Sequence, residues 1–273
     1  MYLGRISRAA LGLAVVVGLA FIYVPLGVVI INSFNASKVF SWPPTHFTTR
    51  WWTAALDNEG VRTALVTSLK AGLGATAIAL LLGTALSFAL VRYEFFGRSA
   101  VNFLVVLPIS LPGIVTGIAL NTSFTTLLRP FGIGLGLFTV ILGHATFCIV
   151  VVFNNVSARL RRMGTSLEEA SADLGASLFQ TFISVTQPQM RSAIIAGALL
   201  AFALSFDEIV VTTFTSGPGV QTLPQWIFNN LFRPNQGPIA NAVAALLLMA
   251  FVVPVWLAER MSGAESRGGP GRL

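Results

Sequence analysis

A chain of 273 residues with 55% apolar side chains, 21 Phe and only 10% charged residues lacks the charged surface of a soluble protein, so lipid is its solvent. A net charge of +7 would suit a nucleic-acid partner in a soluble protein, but here the Arg residues stand in short segments between hydrophobic runs, a pattern that reports membrane orientation and not phosphate binding. The single cysteine, Cys148, excludes an internal disulfide, a Cys-based zinc site and a CxxC redox motif, and its apolar surroundings suit a small core residue.

The first predicted span covers residues 9–31, behind Arg5 and Arg8. It is longer than the apolar core of a secretory signal and no small-residue cleavage site follows, so it reads as an uncleaved membrane helix. Five further runs have the length of about 20 residues that a bilayer core requires. They lie at 63–91, 99–121, 136–156, 192–212 and 239–257 and predict an all-α, polytopic membrane protein of six transmembrane helices.

Within the second span, Lys70 is expected to snorkel to the outer interface, while Gly72, Gly74, Gly83 and Ala85 point to close helix packing. Pro108 and Pro112 interrupt the third span and each removes a backbone donor, which hydrocarbon cannot replace; they either line a pathway or mark a packing kink. His144, alone in the fourth span, reads as a hydrogen-bonded core residue.

Six spans put both termini on one side. The segments on that side hold 11 Lys/Arg (Arg5, Arg8, Arg92, Arg98, Arg159, Arg161, Arg162, Arg191, Arg260, Arg267 and Arg272), against five opposite (Lys38, Arg50, Arg62, Arg129 and Arg233). The bias places both termini in the cytoplasm.

The cytoplasmic segment between the fourth and fifth spans carries three carboxylates, Glu168, Glu169 and Asp173, in six positions. Ser166-x-x-Glu169 is a capping-box pattern that predicts a helix start, with Glu168 and Glu169 in the favourable first turn. Leu167, Ala170 and Leu174 share an apolar stripe, Gly175 is placed to stop the helix, and a second short helix from Ser177 is expected to present Leu178, Phe179, Phe182 and Ile183 until Pro188. Such an elbow either rests on the membrane face or fills a groove on a protein partner. Anionic inner-leaflet lipids would repel its carboxylates, which favours the partner.

In the fifth span Asp207 and Glu208 are the only acids. Intramembrane carboxylates are costly and normally face a cavity or a partner, so one or both either line the translocation path and attract a cation or pair structurally with a neighbouring subunit. Adjacent helical positions point about 100° apart, so the two cannot face one narrow path equally. Phe202, Phe206, Phe214 and Trp226 are read as packing residues before cation-binding faces. Residues 216–238, with Gly217, Pro218, Gly219 and Pro224, form the expected outer loop.

Glu169-Ala170-Ser171, Gly175 six residues after the Glu, and Val185-Thr186-Gln187-Pro188 resemble the EAA loop of type I ABC importer permeases, with Ser171, Val185 and Gln187 departing from the family's Ala, Ile and Leu. SWPPTHFTTRWW at 41–52, LPISLPGIVTGIAL at 107–120, GHATFCIVVVFNN at 143–155 and FALSFDEIVVTTFTSGPGVQTLP at 202–224 are similar to its PotC-like, spermidine/putrescine branch, over roughly residues 41–258. The resemblance implies a type I ABC importer permease fold, with a first helix and outer loop at 1–60, a permease domain at 61–258 and a cytoplasmic tail at 259–273. It implies a permease subunit of an ATP-driven, binding-protein-dependent importer for polyamines or a related cation, working by alternating access in a bacterial inner membrane. Its implied partners are a second permease, two ATPase subunits and an extracytoplasmic binding protein. On this reading Glu168, Glu169, Ala170, Leu174, Gly175 and Pro188 couple to the ATPase, and Asp207, Glu208, Pro108 and Pro112 belong to the substrate pathway.

The chain has no GxxxxGK[ST] phosphate loop, so ATP and Mg belong to the ATPase subunits and no cofactor or metal is expected here. Two histidines, His46 and His144, with no HExxH and no GxSxG, leave no enzyme site and no catalytic residues. The alternative is an ion-coupled secondary transporter using Asp207 and Glu208, which leaves the elbow without a role.

Overall fold

The computed structural model of the chain describes residues 4–38 and 42–266, with Arg5 and residues 252–266 described by backbone alone. The helices are α1 (Arg5–Ser33), α2 (Arg50–Asp57), α3 (Glu59–Arg92), α4 (Arg98–Ser110), α5 (Gly113–Leu127), α6 (Leu137–Arg162), α7 (Ser166–Asp173), α8 (Leu178–Thr181), α9 (Gln187–Phe206), α10 (Val210–Thr215), α11 (Leu223–Asn230) and α12 (Gly237–Ser266). A π turn, Phe182–Thr186, joins α8 directly to α9. The described residues contain no strand, only an antiparallel bridge between Asn35 and Phe47.

Four stretches among the described residues are long and apolar enough to cross a bilayer: Ile6–Ser33, Glu59–Arg92, Leu137–Arg162 and Leu178–Phe206. They hold the first and second expected spans, nearly all of the fourth, and the fifth as far as Phe206. The third expected span, 99–121, is interrupted at its prolines as the sequence suggested: α4 and α5 meet at a 109° bend. The cause is local. A residue before proline is pushed out of helical conformation, and Leu111 is extended (ψ 144°) ahead of Pro112, which caps α5. Pro108, within α4, adds a second missing donor one turn earlier. The sixth expected span lies on α12, which continues to Ser266; Arg267 and Arg272, counted in the orientation argument, lie outside the described residues, as does Ser41.

The chain divides into two compact units. One comprises the residues up to Arg62 and those from Trp226 onward; the other runs from Thr63 to Gln225. In the first, α12 packs against α1 and α2. The loop between α1 and α2 is pinned: Trp51, buried, donates its indole N–H to Asn35 O at 2.9 Å, and Phe34 stacks on Trp52 with ring centroids 4.9 Å apart. The most apolar stretch of α1 has none of its residues buried, which leaves a hydrophobic cylinder for lipid or another chain.

In the second unit α6 is the hub. Val140, Val150, Val152, Val156 and Leu160 are fully buried on it, against α9, α10 and α3. Lipid tails are as apolar as leucine, so helices here gain cohesion from close approach and not from expelling water. Ala71, Ala75 and Ala79 of α3 are accordingly buried, and a Cβ on Gly83 would sit 2.9 Å from the Ile149 carbonyl oxygen. Gly72 and Gly74 lie as closely against Phe202 and Ile141, but Ala85, expected with them, is exposed.

Candidate functional site

The elbow begins as expected at Ser166 and stops at Gly175, whose φ of +84° lies in the left-handed region that closes helices. Two details differ. The capping box anticipated on Ser166 and Glu169 does not form, because the capping position falls to Thr165, which has helical dihedrals and makes no side-chain cap. The box forms instead on Ser177, whose N–H donates to Gln180 Oε1 at 2.8 Å while its Oγ accepts from Gln180 N–H at 3.3 Å. The second correction concerns Pro188, which does not end a helix. An α pattern would drive its ring into the carbonyl four residues back; the π turn widens that register, with Gln187 N–H donating to Phe182 O, and the helix runs on unbroken into α9.

The elbow has an inner and an outer face. Leu167, Glu169, Ala170, Leu174, Gly175, Leu178, Phe179 and Pro188 are exposed; Leu174 and Leu178 are 90% and 85% accessible. Glu168 is turned the other way. Its Oε1 accepts from Arg92 Nη2 at 3.1 Å and from Thr186 Oγ1 at 3.0 Å, and Arg92 Nη1 donates to Met163 O at 3.4 Å. Ser171 and Thr181 hydroxyls join α7 to α8 at 3.0 Å.

A second cluster lies at the far end of α9, whose 20 residues span roughly 30 Å, the thickness of a bilayer core. The expected fifth span breaks here: α9 ends at Phe206 and α10 starts at Val210. Glu208, one residue before the capping position Ile209, supports the break: its Oε1 accepts the Val211 N–H at 2.8 Å, one of the donors a helix start leaves free. Asp207 is exposed; its backbone N–H closes α9 on Ala203 O at 3.2 Å, and its carboxylate has no hydrogen bond or ion pair among the described residues. The neighbouring break at Pro112 is close by, since a Cβ on Gly113 would touch Val210 at 3.4 Å. Further along, Phe214 packs on Gly117, and Asn121 Nδ2 donates to Phe214 O at 2.6 Å. The structure thus sets the break after Pro112 beside the start of α10, next in sequence to Asp207 and Glu208, and places Pro108 a turn earlier on α4. Phe202 and Phe206 form a tilted pair 5.8 Å apart, while Trp226 is buried, as packing residues are. A cavity of about 580 Å³ in the first unit, lined by Asn32, Lys38, Arg233 and Asn241 among others, holds none of the expected site residues.

His144 clamps the α9–α10 break from α6. Thr212 Oγ1 donates to Glu208 O at 2.7 Å and so accepts from His144 Nε2–H at 2.8 Å, leaving Nδ1 to accept from Ser205 Oγ at 2.7 Å. Sequence alone gave no sign of these partners, nor of Arg92 and Thr186 at the elbow. His144→Ala would leave two buried hydroxyls short of a partner, at about 1–3 kcal/mol. The thermal midpoint in detergent should drop by roughly 2–12 °C; an unchanged midpoint would show that the clamp carries no stability.

Residues 75–260 match the model of the binding-protein-dependent transport system inner membrane component. The chain belongs to that family. It is 38% identical over 237 residues to the putrescine transport system permease protein PotI of Escherichia coli K12, covering 85% of this chain and 83% of that one. To the spermidine/putrescine transport system permease protein PotC of the same strain it is 32% identical over 270 residues, 98% of each chain. In fold, the permease matches a chain of a bacterial ABC transporter involved in the import of the acidic polysaccharide alginate, with a TM-score of 0.72, 14% identity, and coverage of 95% of this chain and 99% of that one. It is a permease subunit of an importer, and not an enzyme.

Proposed function

We propose that this permease imports a polyamine or similar small organic cation, driven by ATP hydrolysis on separate subunits that grip the outward face of the elbow. The observation that carries this reading is the division of the elbow into two faces. Leu174 and Leu178 stand open to solvent at the tip while Glu168 fastens the other side to the bundle, the arrangement of a helix that inserts into a groove on a partner. The names of the relatives support the substrate class. The unpartnered carboxylate of Asp207 suits a cation near the outer mouth of the path, beside the broken helices at Pro112 and Glu208.

The proposed assembly has six crossings, with α4 and α5 together as the third and α12 as the sixth. Residues 1–60 supply the first helix and outer loop, 61–258 the permease domain and 259–273 a tail, with both termini and the elbow in the cytoplasm of a bacterial inner membrane. A second permease, two ATPases carrying ATP and Mg, and an extracytoplasmic binding protein complete the importer. Nucleotide-driven closure of the ATPases moves the elbow and, through α9, the far break.

Proteoliposomes holding the whole complex, supplied with internal ATP and external binding protein, should accumulate radiolabelled putrescine and keep doing so when ionophores collapse every ion gradient. Uptake that survives ATP depletion but stops with the ionophores would overturn this reading in favour of ion coupling at Asp207 and Glu208.

A further inference from the structure

Where the elbow meets the bundle, four segments converge on one carboxylate. Arg92 is the last residue of α3, Met163 follows the end of α6, Glu168 lies in the first turn of α7, and Thr186 closes the π turn ahead of α9. Glu168 Oε1 receives Arg92 at 3.1 Å and Thr186 at 3.0 Å, and Arg92 reaches on to Met163 O. The side chains of Arg92 and Glu168 are only 14% and 22% exposed, whereas Glu169, the next residue, is exposed. An ion pair this shielded is weakly screened by salt, and removing one partner strands the other charge away from water. It therefore behaves as a stiff joint and not as a loose surface contact.

The joint sits where helical geometry is most yielding. The π turn at Phe182–Thr186 has one residue more per hydrogen-bonded ring than an α-helix, and a displacement of α7 can be absorbed there by a change of register unless Thr186 is held. Glu168 holds it, and the same oxygen holds the end of α3.

We infer that the Arg92–Glu168–Thr186 cluster is the rigid link that carries movement of α7 into α3 and α9, and that Glu168 is a positioning residue facing the bundle, not a contact for the ATPase. The inference rests on the elbow being the ATPase contact. Glu169 and the apolar tip then form the docking surface, and Glu168 fixes the angle at which that surface is presented.

The test uses the complete complex in proteoliposomes with putrescine-loaded binding protein. It compares Glu168→Gln, Arg92→Gln, the double Arg92→Gln/Glu168→Gln and the exchanged pair Arg92→Glu/Glu168→Arg. Two quantities are read: the amount of ATPase subunit that co-purifies, and putrescine moved per ATP hydrolysed. Co-purification should match the wild type throughout. Transport per ATP should fall about tenfold in each single variant, in the range of energetic coupling between sites, fall no further in the double, and recover at least in part in the exchanged pair. A general loss of folded complex lowers uptake and hydrolysis together, so an unchanged ratio in the single variants would overturn the inference. So would loss of ATPase subunits from Glu168→Gln, which would make Glu168 a docking residue, or single-variant effects that multiply in the double. Failure of the underlying reading is seen separately: a complex with Leu174→Asp and Leu178→Asp that retains its ATPases would sink the elbow as a contact, whatever Glu168→Gln does.

Discussion

Replacing Leu174 and Leu178 together with aspartate should abolish uptake while leaving the permease in the membrane at its usual level. Both side chains are almost fully exposed, at 90% and 85%, so neither substitution disturbs packing within the chain. Buried in a partner's groove, each leucine is worth about 1.5–3 kcal/mol; losing both weakens docking by at least ~100-fold. Two added carboxylates beside Glu169 and Asp173 deepen the loss, because each would have to shed water on entering the groove. Gly175→Pro reaches the same end by another route: proline fixes φ near −65°, the native φ is +84°, and the turn that sets α7 against α8 cannot form. Membrane content by immunoblot, co-purification of ATPase subunits and uptake separate the possibilities. Normal uptake in the double variant would remove the elbow from the mechanism, and lost uptake with full ATPase retention would assign those leucines to the lipid surface.

The helical content and most of the hydrophobic segments were legible because a span is a matter of length and composition, and both are local. The third and fifth spans were harder for one reason. A run such as 99–121 is apolar throughout, and whether Pro108 and Pro112 kink it gently or fold it through 109° depends on which helix receives the freed backbone. The fifth looked like one helix through Thr212. Its break after Phe206 is held by Glu208, which takes the Val211 N–H, and by His144, which spans the gap from α6 through contacts to Ser205 and Thr212, 61 and 68 residues away in sequence. Periodicity cannot report such pairs.

At the elbow, spacing located Gly175 correctly because a positive φ leaves a residue-type signature. It misplaced the capping box, although Ser177-x-x-Gln180 carries the same pattern as Ser166-x-x-Glu169 and was equally visible. What no spacing revealed is the direction of Glu168. Two adjacent glutamates look equivalent in sequence; one is exposed and the other is taken by an arginine 76 residues away. The π turn was invisible for a related reason, since Pro188 reads as a helix stop unless the preceding turn can widen.

The same asymmetry between neighbours sets the second large effect. Asp207→Asn should reduce putrescine uptake by about 10–100-fold, whereas Glu208→Gln should stay within about threefold of the wild type. Asp207 is exposed at the end of α9 and its carboxylate has no partner among the described residues. Acids within or at the end of a membrane span normally face a water-filled path or a partner, and a carboxylate so placed is free to meet a cation. A hydrogen bond to a charged group contributes about 1.5–3 kcal/mol, which converts to the stated loss when asparagine removes the charge but keeps the shape. Glu208 is spoken for by the Val211 N–H at 2.8 Å, and the glutamine carbonyl oxygen can accept that hydrogen bond unchanged. Glu208→Ala, which cannot, should lower the thermal midpoint through loss of a helix-start hydrogen bond worth about 1 kcal/mol. Uptake by Asp207→Asn at the wild-type rate, with Glu208→Gln inactive, would reverse the assignment and make Glu208 the cation's contact. If both retained full uptake, the far break would have no part in holding the solute, and selection would lie wholly outside this chain.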